Sequence, residues 1–248
     1  MLKCDIWQVA LKVMVALFVV AVPVFLVSSS VTWAINDPGI YNSGFEKYTI
    51  SLYTGIIDAD LHQAGSDIRH YFNSGDEPLR VRTRVFGDER DIFNQRETTH
   101  MRDVKELIRG VYLFAGASMT YILAVAIGGF AGFGRSFTGE LARFLLWGGL
   151  LTLGLLVVFG VLAVVGFDSL FLLFHQLSFS NDFWQLDPSK DYLIIMFPLG
   201  FWLDATMRVV ATSVISTICL SGVSGGYLLY RSWAVNKSPG EGHPARNT

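Results

Sequence analysis

The chain has 248 residues, 52% of them hydrophobic and 16% charged, with a formal net charge of −2. So apolar a composition excludes an ordinary soluble domain and points to an integral membrane protein. The near-neutral balance gives no basis for nucleic-acid binding, and two cysteines, Cys4 and Cys219, form neither a disulfide framework nor a metal motif.

The amino end carries Lys3 and Lys12, then an apolar core, then small residues at Ser28 to Ser30. That order resembles a secretory signal, but further apolar runs follow, so an uncleaved first helix is expected. Cys4 precedes the apolar run and is not a lipobox cysteine. Four stretches are long enough to cross about 30 Å of hydrocarbon, which takes about 20 residues. They are residues 9–35 with a tolerated kink at Pro23, then 110–133, 144–167 and 209–230, the third remaining apolar to Phe174. Glycines and serines recur in them (Gly128, Gly132, Gly148, Gly149, Gly154, Ser221, Gly222, Gly225, Gly226). Small residues of this kind let helices approach closely, and a tight bundle accounts for them.

Orientation follows from short basic flanks. Lys3 and Lys12, Arg135 and Arg143, and Arg231 with Lys237 and Arg246 fall on one side, which the positive-inside rule makes cytoplasmic. Segments 36–109 and 168–208 then face outward. The expected fold is an α-helical membrane protein, a single membrane domain of four transmembrane helices under a small mixed α/β extracytoplasmic cap. Residues 237–248 form a polar, disordered cytoplasmic tail in which His243 has no role.

The first outer segment reads as folded. Tyr41, Phe45, Tyr48 and Tyr53 supply aromatic mass, residues 57–72 read as a helix, and residues 79–85 (LRVRTRV) alternate as a strand does. Asn94 with Glu97 three residues later is a capping-box signature. Val104, Leu107, Ile108 and Val111 continue at helical spacing, so one helix is expected to run from Asn94 straight into the second span. The second outer segment gathers Phe171, Phe174, Phe179, Phe183 and Trp184 around His175, then turns at Asp187-Pro188 into Tyr192 to Trp202.

Two histidines fall at one height. His100 lies ten residues before Gly110, about 15 Å above the hydrocarbon at about 1.5 Å per helical residue. His175 lies eight residues past Phe167, about 12 Å above it if the third helix continues. Glu97 and Asp103, three residues either side of His100, can share its helix face, and a carboxylate there would orient the imidazole and favour its protonated form. Each histidine also has a plain structural reading: His100 as a solvated residue beside a capping Glu97, His175 as an interfacial residue bonded to a backbone carbonyl. Asn181, Asp187 and Pro188 read equally as turn formers, and the aromatic cluster as an interfacial belt. Phe174, Phe179, Phe183, Trp184 and Tyr192 are the candidate pocket lining.

Other constellations are weak. His62 and His70 with Asp58, Asp60 and Asp67 offer one i, i+4 pair, Asp58/His62, and no metal is expected. His100 and Asp103 do not match the His-x4-Asp spacing of glycerophosphate acyltransferases. No Gly-x-Ser-x-Gly elbow and no phosphate-binding loop occurs. Two histidines without a nucleophile suit acid–base chemistry in which the substrate carries its own nucleophile.

Residues 92–107, IFNQRETTHMRDVKEL, resemble a signature of the form F…E..H..DVK.L. Phe174-His175, Phe179, Asn181, Trp184, Asp187-Pro188, Asp191 and Phe197-Pro198 resemble a second signature of the same family. That family is the integral membrane one containing the bacterial lipoprotein intramolecular transacylase Lit, and its four-span layout with an outer cap is similar to the one read here. The resemblance covers nearly the whole chain. It implies a bacterial cell-membrane enzyme without cofactor, acting at the outer face on diacylated lipoproteins. The sn-2 acyl chain of the diacylglyceryl group would move to the α-amino group of the N-terminal cysteine, giving the lyso form. The catalytic histidines would be His100 and His175, with Glu97, Asp103, Asn181 and Asp187 in support. His100 is taken as base, with Glu97 or Asp103 orienting it, and His175 as acid or second base; the reverse assignment stays open.

Three other readings compete. A membrane lipid esterase would use the same histidines with water and release free fatty acid. A non-enzymatic sensor or assembly protein would tolerate substitution of both. A transporter is disfavoured, because Lys12, Arg143 and Arg208 all lie near span ends and transport paths place ionisable groups at mid-membrane.

Overall fold

A computed structural model describes the backbone of residues 2–236 and the side chains of residues 6–236. The expectations made for Lys3, Cys4 and the 237–248 tail with His243 lie outside the described side chains. The chain forms α1 (Leu2–Asn36), α2 (Pro38–Lys47), α3 (Ile50–Thr54), α4 (Asp58–Asn73), β1 (Arg82–Val85) and β2 (Asp88–Asp91). It continues with α5 (Gln95–Phe133), a 3-10 turn at Gly134–Phe137, α6 (Thr138–Ser178), α7 (Tyr192–Met196) and α8 (Leu199–Asn236).

Three helical stretches among the described residues are long and apolar enough to cross a membrane: Ile6–Asn36, Gln95–Ser178 and Leu199–Asn236. The middle stretch is two helices. α5 has 39 residues and is therefore about 58 Å long. His100 near its start nonetheless meets His175 near the end of α6, with ring centroids 6.0 Å apart. The chain must reverse at the 3-10 turn, so that α5 and α6 run antiparallel. α1 packs against α5, α6 and α8, and α6 packs along α8, whereas α5 and α6 scarcely touch between their ends.

The outward surfaces of these helices are apolar: Leu113, Phe114, Val157, Val161, Val165, Ile215, Val223 and Leu229 are all exposed. A soluble protein does not leave such faces uncovered. Several hydroxyls sit inside instead and donate to the carbonyl one turn back, as Ser30 does to Leu26, Thr152 to Gly148 and Thr217 to Ser213. Only some of the small residues serve packing. A Cβ at Gly148 would strike Val22, and one at Gly149 would strike Ser221, but Gly128, Gly132, Gly154, Gly222 and Gly226 face open space.

The segment between α1 and α5 folds around its own core. Tyr41, Phe45, Leu61, Ile68, Val81 and Val85 are buried together with Phe197 and Phe201 of the second segment. Residues 79–85 were expected as one strand; the ladder is β1 paired antiparallel with β2, Val85 opposite Asp88. The two-residue turn between them, Phe86-Gly87, has φ of 51° and 94°, the positive values a tight hairpin requires. β2 reads DERD and is exposed throughout, so no apolar alternation announces it. Helix α4 matches the helix read at 57–72, and α5 runs unbroken from the predicted capping box. α6 is also one continuous run in outline, interrupted by non-helical backbone at Gly166.

Candidate active site

Asn94 opens α5. Its Oδ1 accepts from the amides of Arg96 (2.9 Å) and Glu97 (3.2 Å), while Glu97 Oε2 accepts from the Asn94 amide at 2.8 Å. Two orphan amide groups of the first turn are thereby satisfied. The other Glu97 oxygen, Oε1, accepts from the Leu193 amide of α7 at 2.7 Å. Asn94 Nδ2 donates to Asp191 Oδ1 at 2.7 Å, and Asp191 Oδ2 accepts from the Asp187 amide at 2.7 Å. Glu97 and Asp191 are both buried. The start of α5 is thus bolted to the segment that follows His175.

One turn below Glu97, His100 points inward and is buried. Its partner is His175, three residues from the end of α6, with the ring planes inclined at 34°. Phe179 lies across both imidazoles, its ring 5.1 Å from His100 and 5.6 Å from His175. Phe171 (4.4 Å), Trp184 (5.2 Å) and Phe174 (5.3 Å) enclose the remaining edges of His175. None of these ring neighbours carries a hydroxyl, thiol or carboxylate.

His175 Nδ1 lies 2.8 Å from the Phe171 carbonyl, one turn back. A carbonyl only accepts, so Nδ1 carries the hydrogen and Nε2 of the neutral ring presents its lone pair. His100 Nδ1 is buried with no hydrogen-bond partner among the described residues. Both rings lie beyond the apolar runs 110–133 and 144–167. Burial pushes the His100 imidazole down to about 4; the neighbouring His175 adds to this and the Asp103 carboxylate opposes it. Burial lowers His175 too, against the opposing pull of its bond to the Phe171 carbonyl. Both rings are therefore neutral near pH 7.

The structure brings together His100, His175, Phe174, Phe179 and Trp184. It places the others differently. Glu97 was expected on His100 but is committed to the Asn94 and Leu193 amides. Burial pushes its carboxyl up, and the backbone hydrogen bonds oppose this. Asp103 likewise makes no hydrogen bond to His100; it accepts from Asn181 Nδ2 at 2.8 Å. The expectation that carboxylates favour protonated His100 does not hold, because burial outweighs the pull of the Asp103 charge. Asp187 caps a turn, accepting from the Ser189 amide and hydroxyl. Phe183 lies under the Arg96 guanidinium (5.9 Å), and the Tyr192 hydroxyl meets Arg90 Nη2 at 2.6 Å, so neither reaches the imidazoles. His62 and His70 face Glu46 (3.7 Å) and Asp76 (3.5 Å) separately, and among the described residues no three His, Cys, Asp or Glu gather as a metal site.

Sequence reading named Phe171 in the aromatic cluster and Asp191 in the second signature but assigned neither to the site. The i, i+4 spacing of Phe171 and His175 was the available signal for the first. For Asp191 there was none beyond its place in the second signature. The buried Lys105 was also passed over. Its ammonium donates to the Asp76 carbonyl (2.6 Å), meets Glu77 (3.2 Å) and sits 3.9 Å from the centre of the Tyr71 ring, pinning the hairpin's approach to α5.

Known proteins share this architecture. The in meso structure of the membrane integral lipoprotein intramolecular transacylase Lit from Bacillus cereus superposes with a TM-score of 0.76 at 19% identity, over 90% of this chain and 97% of that one. A form of it with one histidine replaced by arginine gives 0.74 at 16% identity, over 94% and 98%. An uncharacterised protein of Aquifex aeolicus is 32% identical over 135 residues, which are 54% of this chain and 57% of that protein. The chain thus spans little more than half the length of that curated relative. The family described as lipoprotein intramolecular transacylase Lit matches residues 16–202. With its outward-facing apolar helices and the fold of membrane-integral proteins, the chain is a membrane protein belonging to the lipoprotein intramolecular transacylase (Lit) family.

Proposed function

We propose that the chain is a lipoprotein intramolecular transacylase that moves the sn-2 acyl chain of a diacylglyceryl group to the α-amino group of the lipoprotein's N-terminal cysteine. The observation that carries this reading is the pair of buried, neutral imidazoles 6.0 Å apart in an aromatic enclosure without a protein nucleophile. Acyl transfer to an amine needs no such nucleophile, because the substrate brings its own.

The fixed tautomer favours His175 as base. Its Nε2 takes a proton from the substrate amine as that nitrogen attacks the ester carbonyl. The resulting imidazolium returns the proton to the glyceryl oxygen as the C–O bond breaks and the amide forms. Neutral His100 donates a hydrogen bond to the oxyanion of the tetrahedral intermediate. A weakly basic imidazole suits that role, since it stays uncharged near neutral pH. The amine, with a reference pKa of about 7.7–8.0, is partly free before any enzyme group acts. Each proton-transfer role is worth about 10²–10⁴-fold, and holding amine and ester together adds an effective molarity of about 10⁵–10⁸ M. Phe171, Phe174, Phe179 and Trp184 would keep out the water that would hydrolyse the ester.

In this reading α1, α5, α6 and α8 cross the membrane once each, through 9–35, 110–133, 144–167 and 209–230, with both ends cytoplasmic. Arg135, Arg143 and Arg231 lie on the cytoplasmic side; the segments 36–109 and 168–208 form the outer cap over the histidines. The gap between α5 and α6 lets a diacylglyceryl group enter sideways from the outer leaflet. The test is expression in a bacterium whose lipoproteins are diacylated with free amino termini, followed by mass spectrometry of one abundant N-terminal lipopeptide. An isobaric product with one acyl chain on the amine, absent with His100→Ala and with His175→Ala, is expected. Free fatty acid with no N-acyl product would indicate a hydrolase instead, and an unchanged lipopeptide beside folded protein would rule out both enzymes.

A further inference from the structure

On the far side of α8 from the histidines lies a groove of about 500 Å³, between that helix and α2. Ile40, Ser43, Gly44 and Lys47 line it from α2, and Phe201, Asp204, Ala205 and Arg208 from α8. Each set has the i, i+3, i+4, i+7 spacing of one helix face. The two faces meet where the Phe201 ring packs against Gly44, and their polar rim ties them further: Lys47 Nζ meets Asp204 Oδ2 at 2.5 Å, the Tyr48 hydroxyl donates to the same oxygen at 2.9 Å, and Arg208 Nη2 donates to Ser43 Oγ at 2.9 Å.

The depth of the groove is fixed by sequence. Arg208 is the last charged residue of α8 before an uncharged run of 209–230, so it stands where hydrocarbon gives way to headgroups. Two cations face one carboxylate: Asp204 meets Lys47 directly and also lies in the field of Arg208. Arg208 makes no ion pair among the described residues. Below it the groove is floored by Met207 and Ala211, and the exposed Ile215 and Ile218 continue the same face downward. From 207 to 218 that apolar rail is about 17 Å long.

We infer that this groove binds one glycerophospholipid of the bilayer, its phosphate held by Arg208, Lys47 and the Ser43 hydroxyl, and one acyl chain laid along Met207, Ala211, Ile215 and Ile218. With Lys47 and Arg208 sharing the one Asp204 carboxylate, a phosphate supplies the second counter-charge, and a lipid supplies the chain that the rail accommodates. A free anion would leave the rail empty. The bound lipid would brace α2 on α8 and so hold the cap on the bundle. The inference rests on the membrane reading of the long helices and not on acyl transfer.

The test is native mass spectrometry of the full chain in detergent with added palmitoyl-oleoyl phosphatidylglycerol, dioleoylglycerol or inorganic phosphate. One phosphatidylglycerol is expected to stay bound, and neither of the other probes. The K47A/R208A pair should lower its occupancy at least tenfold, and so should Ala211→Trp, which fills the floor and leaves the charges in place. Arg208→Lys, which keeps the charge, should retain the lipid and so separate its loss from unfolding. Equal retention by the wild type and both disabled variants would overturn the inference. So would binding of dioleoylglycerol as strong as that of the phospholipid, or retention of inorganic phosphate. Acyl transfer by the same variants is read separately, because none of them touches the histidines.

Discussion

Asp103 and Asn181 are joined by a 2.8 Å hydrogen bond, and that bond links the helix carrying His100 to the loop that follows His175. Asn181 also accepts from the Phe183 amide through its Oδ1 at 3.1 Å, so its side chain fixes the loop from both ends. Phe179, two residues earlier, is the ring that lies across both imidazoles. Asp103 therefore acts on the histidines in two ways: mechanically through Asn181, and weakly through its charge on His100.

Removing either partner should loosen Phe179 without touching a reacting group. Asp103→Ala and Asn181→Ala are each expected to cut kcat about tenfold, or about 1.4 kcal/mol of barrier, with little change in KM. Because one bond is lost in either case, the double variant should be no worse than the poorer single one. Additive losses in that cycle would mean that the two residues work apart.

His175→Ala and His100→Ala should each reduce transfer by about 10²–10⁴-fold, and the conservative replacements should separate their roles. His175→Asn keeps a donor near the Phe171 carbonyl but has no Nε2 lone pair, so it should be as inactive as alanine. His100→Asn retains an amide donor for the oxyanion and should recover part of the loss. Equal behaviour of the two asparagine variants would refute the division into base and donor.

Neutral burial of the histidines also makes stability depend on pH. The ordinary imidazole value of about 6.5 applies to the unfolded chain, whereas folded His100 sits at about 4. Between these values the unfolded state binds the extra proton. Stability is thus fully present above pH 6.5, falls as the pH drops, and levels off below 4. The gap is worth on the order of 3 kcal/mol. Thermal unfolding in detergent should show a midpoint that declines through this window, and the decline should shrink in His100→Phe. A midpoint independent of pH from 4 to 6.5 would contradict the buried neutral pair.

Much of this was legible in the chain. Helix α5 could be placed from Asn94 and Glu97 because a capping box is a local interaction, and the apolar runs of the long helices are properties of composition. The height of His100 and His175 followed from the same boundaries. What could not be read was how Glu97 and Asp103 would divide their oxygens, since the competing donors, Leu193 and Asn181, come from elements 96 and 78 residues away. Spacing on a helix shows which side chains can meet, but not which long-range partner takes them first. β2 was missed for a different reason: its strand character comes from pairing with β1, and DERD carries no pattern of its own. Tyr192 entered the candidate lining by its aromaticity alone, and the partner that draws it away, Arg90, lies 102 residues distant.

Glu97 gives the most direct probe of how the cap holds the site. It accepts from the amide of Asn94, the cap of its own helix, at 2.8 Å and from that of the distant Leu193 at 2.7 Å, and it is wholly buried. Loss of an N-terminal cap costs about 0.5–2 kcal/mol, and a buried donor left without an acceptor costs about 1–3 kcal/mol more. Glu97→Ala strips the acceptor from both amides and should lower stability by roughly 3 kcal/mol on these figures. Glu97→Gln keeps one carbonyl oxygen but turns an NH₂ toward the other amide, so it should fall between wild type and alanine. Because α7 is held by the Leu193 amide, hydrogen exchange should rise in Tyr192–Met196 in both variants before global unfolding. Glu97 does not touch His100, so the fraction still folded at low temperature should keep most of its acyl transfer. A fully folded Glu97→Gln with activity as low as that of His100→Ala would show instead that the carboxylate acts on the imidazole itself.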